Sequence, residues 1–233
     1  MDDSDLSDME RVYMAATTGQ WHVRSLDDAW AMNLLVISST PDTGRQERWP
    51  DFNHGEIIAA ALVQQPRFVE VTDERWDENA GFIEVAREDF PRLIDEIRRL
   101  RASLLEQSVH HDDVLSRVDS GIGGHMDDSE LDELEGVCAR ATPGPWYVRE
   151  LADDRGKRLV AVSTVPDTGW GDRWPDFDHG EIVAATLVQS PRYVDSSDGR
   201  WRENAEFIVM VRDAVPRLIA EVRRMQKLVA RRS

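Results

Sequence analysis

Sliding the 233-residue chain along itself by 125 positions lays Met1 on Met126 and Ser108 on Ser233 without a gap, and about half of the paired positions are identical. Solenoid repeats recur every 20–50 residues or so, and this period is far longer. Each copy is long enough to fold as a small domain. The pattern predicts a tandem duplication, units 1–108 and 126–233, arranged as a pseudo-twofold dimer within one chain. Residues 109–125 have no counterpart and read as a linker ending in Gly121, Gly123 and Gly124. His110 and His111 lie in that linker and read as solvated side chains.

Within a unit the apolar spacing predicts an α+β fold. Leu6, Met9, Val12 and Tyr13, like Leu131, Leu134, Val137 and Cys138, recur at helical intervals, with Ser4 and Ser129 as expected N-caps. Trp21-His22-Val23-Arg24 and Trp146-Tyr147-Val148-Arg149 alternate as half-buried strands, Trp and Val inward. After a turn (Asp153-Asp154-Arg155-Gly156 in the second unit), Leu34–Ser38 and Leu159–Ser163 form the return leg of a hairpin. Glu56–Gln64 and Glu181–Gln189 are apolar without a clean period, strand or helix; Gly before and Pro after favour a third strand. A helical hairpin closes each unit: a first helix over Asp77–Glu88, then a second begun by Pro91, or by Pro216 in the other copy, at a first-turn position. Leu93, Ile97, Leu100 and Leu104 match Leu218, Val222, Met225 and Val229 in a coiled-coil-like seam expected to join the two units.

Acids outnumber bases 45 to 28, giving a net charge of −17. That balance argues against direct nucleic-acid binding, which needs clustered Lys and Arg, and favours a basic partner. Cys138 is the one cysteine, so no intramolecular disulfide forms, and it reads as a small buried hydrophobe. Met1-Asp2-Asp3-Ser4 does not open a signal peptide, and no apolar run approaches a membrane span of about 18 residues. The expectation is a cytoplasmic protein with no membrane attachment and no cofactor.

Ala141-Thr142-Pro143-Gly144-Pro145-Trp146, followed by Asn204-Ala205-Glu206-Phe207-Ile208 and Val215-Pro216-Arg217-Leu218-Ile219, resembles a pattern of Ead-like accessory proteins of phages and prophages and of related actinobacterial proteins. The resemblance spans most of each unit, although the first reads Ala16-Thr17-Thr18-Gly19-Gln20-Trp21 at the leading motif. It implies a mobile-element or accessory role and assigns no catalytic residue.

The densest identity between copies runs from Pro41 to Ile57 and from Pro166 to Ile182. Asp42-Thr43-Gly44 and Asp167-Thr168-Gly169 carry the D-T-G of bilobal aspartic proteases, whose two carboxylates share a proton. Here Pro precedes each Asp, Arg45 or Trp170 follows the Gly, and helices abound, so a Pro-Asp-Thr-Gly turn is the better reading. Asp51, His54 and Glu56, with Asp176, His179 and Glu181, could hold a divalent cation or act as a general acid/base set, His54 and Glu56 pointing to one side; the H-E-x-x-H spacing of helical zinc sites is absent, and a polar turn is the better reading. A third set is Arg24, Arg48-Trp49, Arg67-Phe68 and Arg75-Trp76, matched by Arg149, Arg173-Trp174, Arg192-Tyr193 and Arg200-Trp201. Arg offers a fork for an anion and Trp a stacking face, while pairing with the abundant acids and core packing is the simpler use of them.

Together these point first to a non-enzymatic binding protein engaging a protein partner, as an inhibitor or nucleic-acid mimic. The alternative is a protein that binds or sequesters a small anionic, nucleotide-like ligand at the P-D-T-G to H-G-E loop. A metal-dependent enzyme is third. Association of whole chains into a homo-oligomer is compatible with all three.

Overall fold

Residues 1–28, 33–42, 48–49, 52–64, 69–109, 125–152, 158–167, 178–189 and 192–232 are described by the structure, a computed structural model. The turn 153–157 and linker residues 110–124 lie outside them. In chain order the elements are α1 (Asp3–Ala15), β1 (His22–Asp28), β2 (Asn33–Ser38), β3 (Arg48–Trp49), a 3-10 turn (His54–Glu56), β4 (Ile57–Val63) and α2 (Trp76–Val109). Then come α3 (Asp128–Arg140), β5 (Tyr147–Ala152), β6 (Arg158–Ser163), a 3-10 turn (His179–Glu181), β7 (Ile182–Gln189), β8 (Arg192–Asp195) and α4 (Trp201–Arg232).

α1 and α3 start two residues earlier than the serines suggest. The N-caps are Asp2 and Asp127, each in a reciprocal capping box with Asp5 or Glu130. A carboxylate at this position accepts an orphan N–H and also opposes the positive end of the helix dipole, so it displaces Ser4 and Ser129 from the role.

All strands join one sheet in the order β3-β1-β2-β4-β7-β6-β5, with β8 also pairing β7. Pairing is antiparallel apart from the short β1–β3 contact. The ambiguous apolar segments are strands: β4 is buried along its whole length, and β7 up to its last residue. Alanines suit them because both faces are covered and the pleat is crowded.

One face carries the helices. Leu35, Ile37, Ile58 and Ala61 from the sheet share a cluster with Phe82, Ile83, Leu93, Ile97, Phe207, Ile208, Leu218 and Val222. Of the expected seam residues, Leu93, Ile97, Leu100, Leu218, Val222 and Met225 lie in that cluster, Val229 packs against it and Leu104 is not part of it; the two helices pack on each other. On the opposite face a second cluster joins Leu26, Leu34, Val36, Ile57 and Ala60 to Phe52, Tyr193 and Val194.

The helical hairpins are not formed. Pro91 lies inside the single 34-residue α2, and Pro216 inside the 32-residue α4. A mid-helix proline removes one backbone hydrogen bond. The buried stripe nonetheless runs past it, with Phe90, Leu93 and Ile94 at most 1% exposed. Breaking the helix there would lift that stripe off α4, a larger loss than one hydrogen bond.

Contacts between the halves recur with the partners exchanged. β4 meets β7 at Ala60 opposite Ala185, one repeat period apart. Asn79 Oδ1 accepts from the Thr142 N–H at 2.8 Å and Asn79 Nδ2 donates to Thr142 Oγ1 at 2.9 Å. Asn204 makes the same two bonds to Thr17, at 2.7 and 2.9 Å. The Thr72 N–H donates to Gly180 O at 2.9 Å, and the Ser197 N–H to Gly55 O at 3.0 Å.

Candidate functional site

Arg24 sits two residues before Leu26 on β1, so the pleat sends its side chain to the face away from the helices. The sequence alternation places it in solvent, whereas it is 4% exposed, and Arg149 of β5 is 2% exposed. The reason is the second apolar cluster, which covers the face a half-buried strand would leave wet. Trp21 and Val23 pack on the helical side, as their alternation implies.

Each buried guanidinium is met by the glutamate that ends the H-G-E segment. Arg24 Nη1 lies 3.2 Å from Ser38 Oγ, 3.1 Å from Thr40 Oγ1 and 3.5 Å from Glu56 Oε2. Thr40 Oγ1 donates to the same carboxylate oxygen at 2.8 Å, and Asn53 Nδ2 donates to Glu56 Oε1 at 2.9 Å. In the other half Arg149 Nη1 contacts Glu181 Oε2 at 3.0 Å and Ser163 Oγ at 3.5 Å. Val165 stands at the Thr40 position, so no hydroxyl comes between the ions. A guanidinium matched by a carboxylate is largely neutralised as an anion receptor. Ser38 faces the cation rather than a general base.

His54 goes elsewhere. Its ring centroid is 4.4 Å from that of Phe52. Burial holds its pKa below the usual imidazole value, with Arg192 acting in the same direction and a hydrogen bond to the Tyr193 backbone and Asp195 opposing. His54 and Glu56 therefore do not face one ligand: a 3-10 turn rotates each residue by about 120°, which separates positions an extended strand would align. Among the described residues no cluster of three metal-ligating side chains exists.

Asp42 and Asp167 are exposed just beyond β2 and β6. Arg48 and Trp49 form β3, parallel to Asp27 and Asp28 of β1, and His179 opens the second 3-10 turn. Thr43, Asp51, Thr168, Arg173, Trp174 and Asp176 lie outside the described residues, as do Arg67 and Phe68.

Other members of the Arg/aromatic set are structural. Arg75 Nη1 donates to Arg140 O at 3.3 Å, and Arg200 Nη1 donates to Ala16 O at 3.0 Å. Each reaches across to the C-terminus of the other half's first helix, where carbonyls lack helical partners. Arg192 pairs with Asp195 at 2.5 Å.

Sequence reading missed Arg87 and Arg212, which cap the same helix ends from within each half. Arg87 Nη1 donates to Tyr13 O at 2.9 Å and Arg212 Nη1 to Cys138 O at 2.7 Å. Both guanidiniums lie over rings: Arg87 over Tyr13 at 3.9 Å, Arg212 over Phe82 and Trp146 at 5.4 and 5.3 Å. Burial lowers the pKa of each. Their only signal was an Arg retained in both copies within an apolar helical stripe. Open cavities of about 440 Å³ and 750 Å³ adjoin Arg87 and Arg212 respectively.

Comparison with family models, curated proteins and solved structures yields no match. Among the described residues no helix is long and apolar enough to cross a membrane.

Proposed function

We propose that this chain is a tandem duplication folded as a pseudo-twofold dimer, and that it acts as a non-enzymatic, acidic accessory protein of mobile elements that engages a basic protein partner. The observation that carries the reading is the division of charge. Arg24, Arg149, Arg75 and Arg200 are engaged by carboxylates and carbonyls of the chain itself. Acids, by contrast, keep their side chains in solvent along the first helices: Asp128 and Glu133 of α3 are exposed, and Asp3, Asp8, Asp132 and Glu135 stay exposed although they pair with Arg101, Arg11 and Arg223. With a net charge of −17 such faces suit a cationic surface. The exchanged contacts across the middle support the pseudo-dimer, because a twofold interface pairs residue i with j and j with i. The rival use of Arg24 and Arg149 for a small anion draws less support, since each already has Glu56 or Glu181 beside it.

The test is displacement of labelled duplex DNA from a lysine-rich, sequence-independent DNA-binding protein. The chain is expected to displace the duplex at concentrations where an unrelated protein of similar charge does not. The effect should weaken with salt and fall in Asp128→Lys/Glu133→Lys. Displacement no better than the charge-matched control would reject the reading.

A further inference from the structure

The two cavities occupy equivalent places in the repeat. One is lined by Tyr13, Gly19, Gln20, Trp21, Arg87 and Glu88. The other has Cys138, Gly144, Pro145, Trp146, Arg212 and Asp213 at the positions 125 residues later. The copies differ at the centre. In the first, the Tyr13 ring lies 3.9 Å beneath the Arg87 guanidinium, stacks on Phe90 at 5.6 Å and meets Phe207 edge-on at 5.8 Å. In the second, Tyr is replaced by Cys138 and Phe90 by Val215, and the space is larger, about 750 Å³ against 440 Å³. Arg212, Phe82 and Trp146 remain in place around the position that a ring fills in the first half.

A second observation concerns Trp146. In the first half the Trp21 indole N–H donates to Thr17 O at 3.1 Å. Trp146 is 3% exposed and lines the cavity, yet its Nε1 has no acceptor among the described residues. A buried donor left unmatched is destabilising, so this wall of the second half is less well satisfied than its counterpart in the first. The remaining wall includes Met9 and Met210, side chains that adapt to a guest's shape. Gly144 lacks the Cβ that would lie 3.2 Å from Arg212 Cγ, which keeps that flank of the guanidinium open. Of its five N–H groups, two are directed at Cys138 O and Ala141 O. At the rim Asp213 pairs with Arg217 at 3.1 Å, and Glu135 pairs with Arg223 at 2.7 Å. Arg212 is thus the cation facing the interior.

We propose that the second-half cavity is a binding site for a small aromatic carboxylate, whose ring takes the place that Tyr13 holds in the first half and whose carboxylate answers Arg212. In the first half Tyr13 itself occupies the place of the ligand's ring and leaves the smaller cavity beside it, so one ligand per chain is expected. This site adjoins the exposed acids of α3 proposed for the macromolecular partner only at Glu135 on its rim.

The experiment is titration of the full chain with 4-hydroxyphenylacetate and indole-3-acetate by calorimetry and ligand-observed NMR, with cyclohexanecarboxylate as the ring-free control. One saturable site is expected for the aromatic acids, with the control weaker by about tenfold or more, a factor worth about 1.4 kcal/mol. Cys138→Tyr restores the internal ring and should abolish binding, whereas Cys138→Ala should keep it within about threefold of the parent. Should Cys138→Tyr fail to melt cooperatively, the parent decides by another readout: saturating indole-3-acetate should slow methanethiosulfonate modification of Cys138, the chain's one thiol, at least several-fold. No saturable binding at millimolar ligand, equal affinity for cyclohexanecarboxylate, binding retained in folded Cys138→Tyr, or no protection of the thiol would each overturn the proposal.

Discussion

Replacing Asn79 by Ala tests whether the exchanged contacts hold the halves together. Asn79 is fully buried, and its amide matches both polar groups of Thr142. Truncation leaves the Thr142 hydroxyl with Asp73, which it already contacts at 3.0 Å, so that group is not stranded. The Thr142 N–H is. A buried orphan donor costs about 1–3 kcal/mol, and the net loss of the second bond adds about 1 kcal/mol. The expected destabilisation is therefore about 2–4 kcal/mol, a large share of the 5–15 kcal/mol that holds a typical domain folded. Asn204→Ala should cost less, because its bonds to Thr17 have the same geometry but Thr17 is half-buried where Thr142 is buried. Urea unfolding followed by far-UV circular dichroism measures both. The midpoint should fall while the m-value stays constant, since the surface exposed on unfolding is unchanged. A loss below about 1 kcal/mol for either variant would show that these bonds do not support the interface and refute the reasoning.

Three further outcomes follow from local geometry and charge. Gly180→Ala would drive a methyl into Thr72 Oγ1, which already donates to Gly180 O at 2.9 Å, whereas at Gly55 the nearest atoms are 3.3 Å away or more; Gly180→Ala should cost about 1–3 kcal/mol and Gly55→Ala less, read from thermal melts. Arg24→Ala and Arg149→Ala should each lower stability by about 1.5–3 kcal/mol through lost charged hydrogen bonds, with no metal or anion needed to see it; an unchanged melting temperature would remove the structural account of the pair. Burial pushes the Glu96 carboxyl up, but hydrogen bonds from Arg99 and His125 outweigh it and hold the pKa below the usual value. Its contribution is thus present above the unfolded value of about 4.3 and lost as pH falls through the folded one. Glu96→Gln should flatten the stability profile in that acid range and nowhere else; an unchanged acid limb would contradict it.

The repeat offset carried most of what was legible. It placed α1, α3 and the three main strands of each half, because period and turn residues are local signals. The helix boundary at Asp2 was missed because Ser4 is the more familiar cap, although the acid at Asp5 completes a box only with Asp2. The unbroken α2 was missed because a proline is read locally, while the burial that overrides it comes from α4, more than a hundred residues away. For the site, alternation along β1 misplaced Arg24, since nothing local reveals that the outer face is covered. The side chains that link the halves, Asn79, Arg75 and Thr142, were identical between copies but looked like ordinary helix-start and turn residues. Their meaning depends on which helix end lies opposite, a tertiary fact.

On the proposed duplication, the Ala60–Ala185 pairing has a genetic consequence. When identical chains meet about an axis, each codon is written on both sides of it, so one mutation strikes twice and every residue near the axis must tolerate its own image. Here the two sides have separate codons. A change on one side is felt once, and the opposite side keeps the older residue as a partner. Tyr13 and Cys138, or Thr40 and Val165, are differences of a kind that two copies of one gene product cannot show. Covalent continuity thus lets one half keep a plugged, self-sufficient interior while the other is released to change.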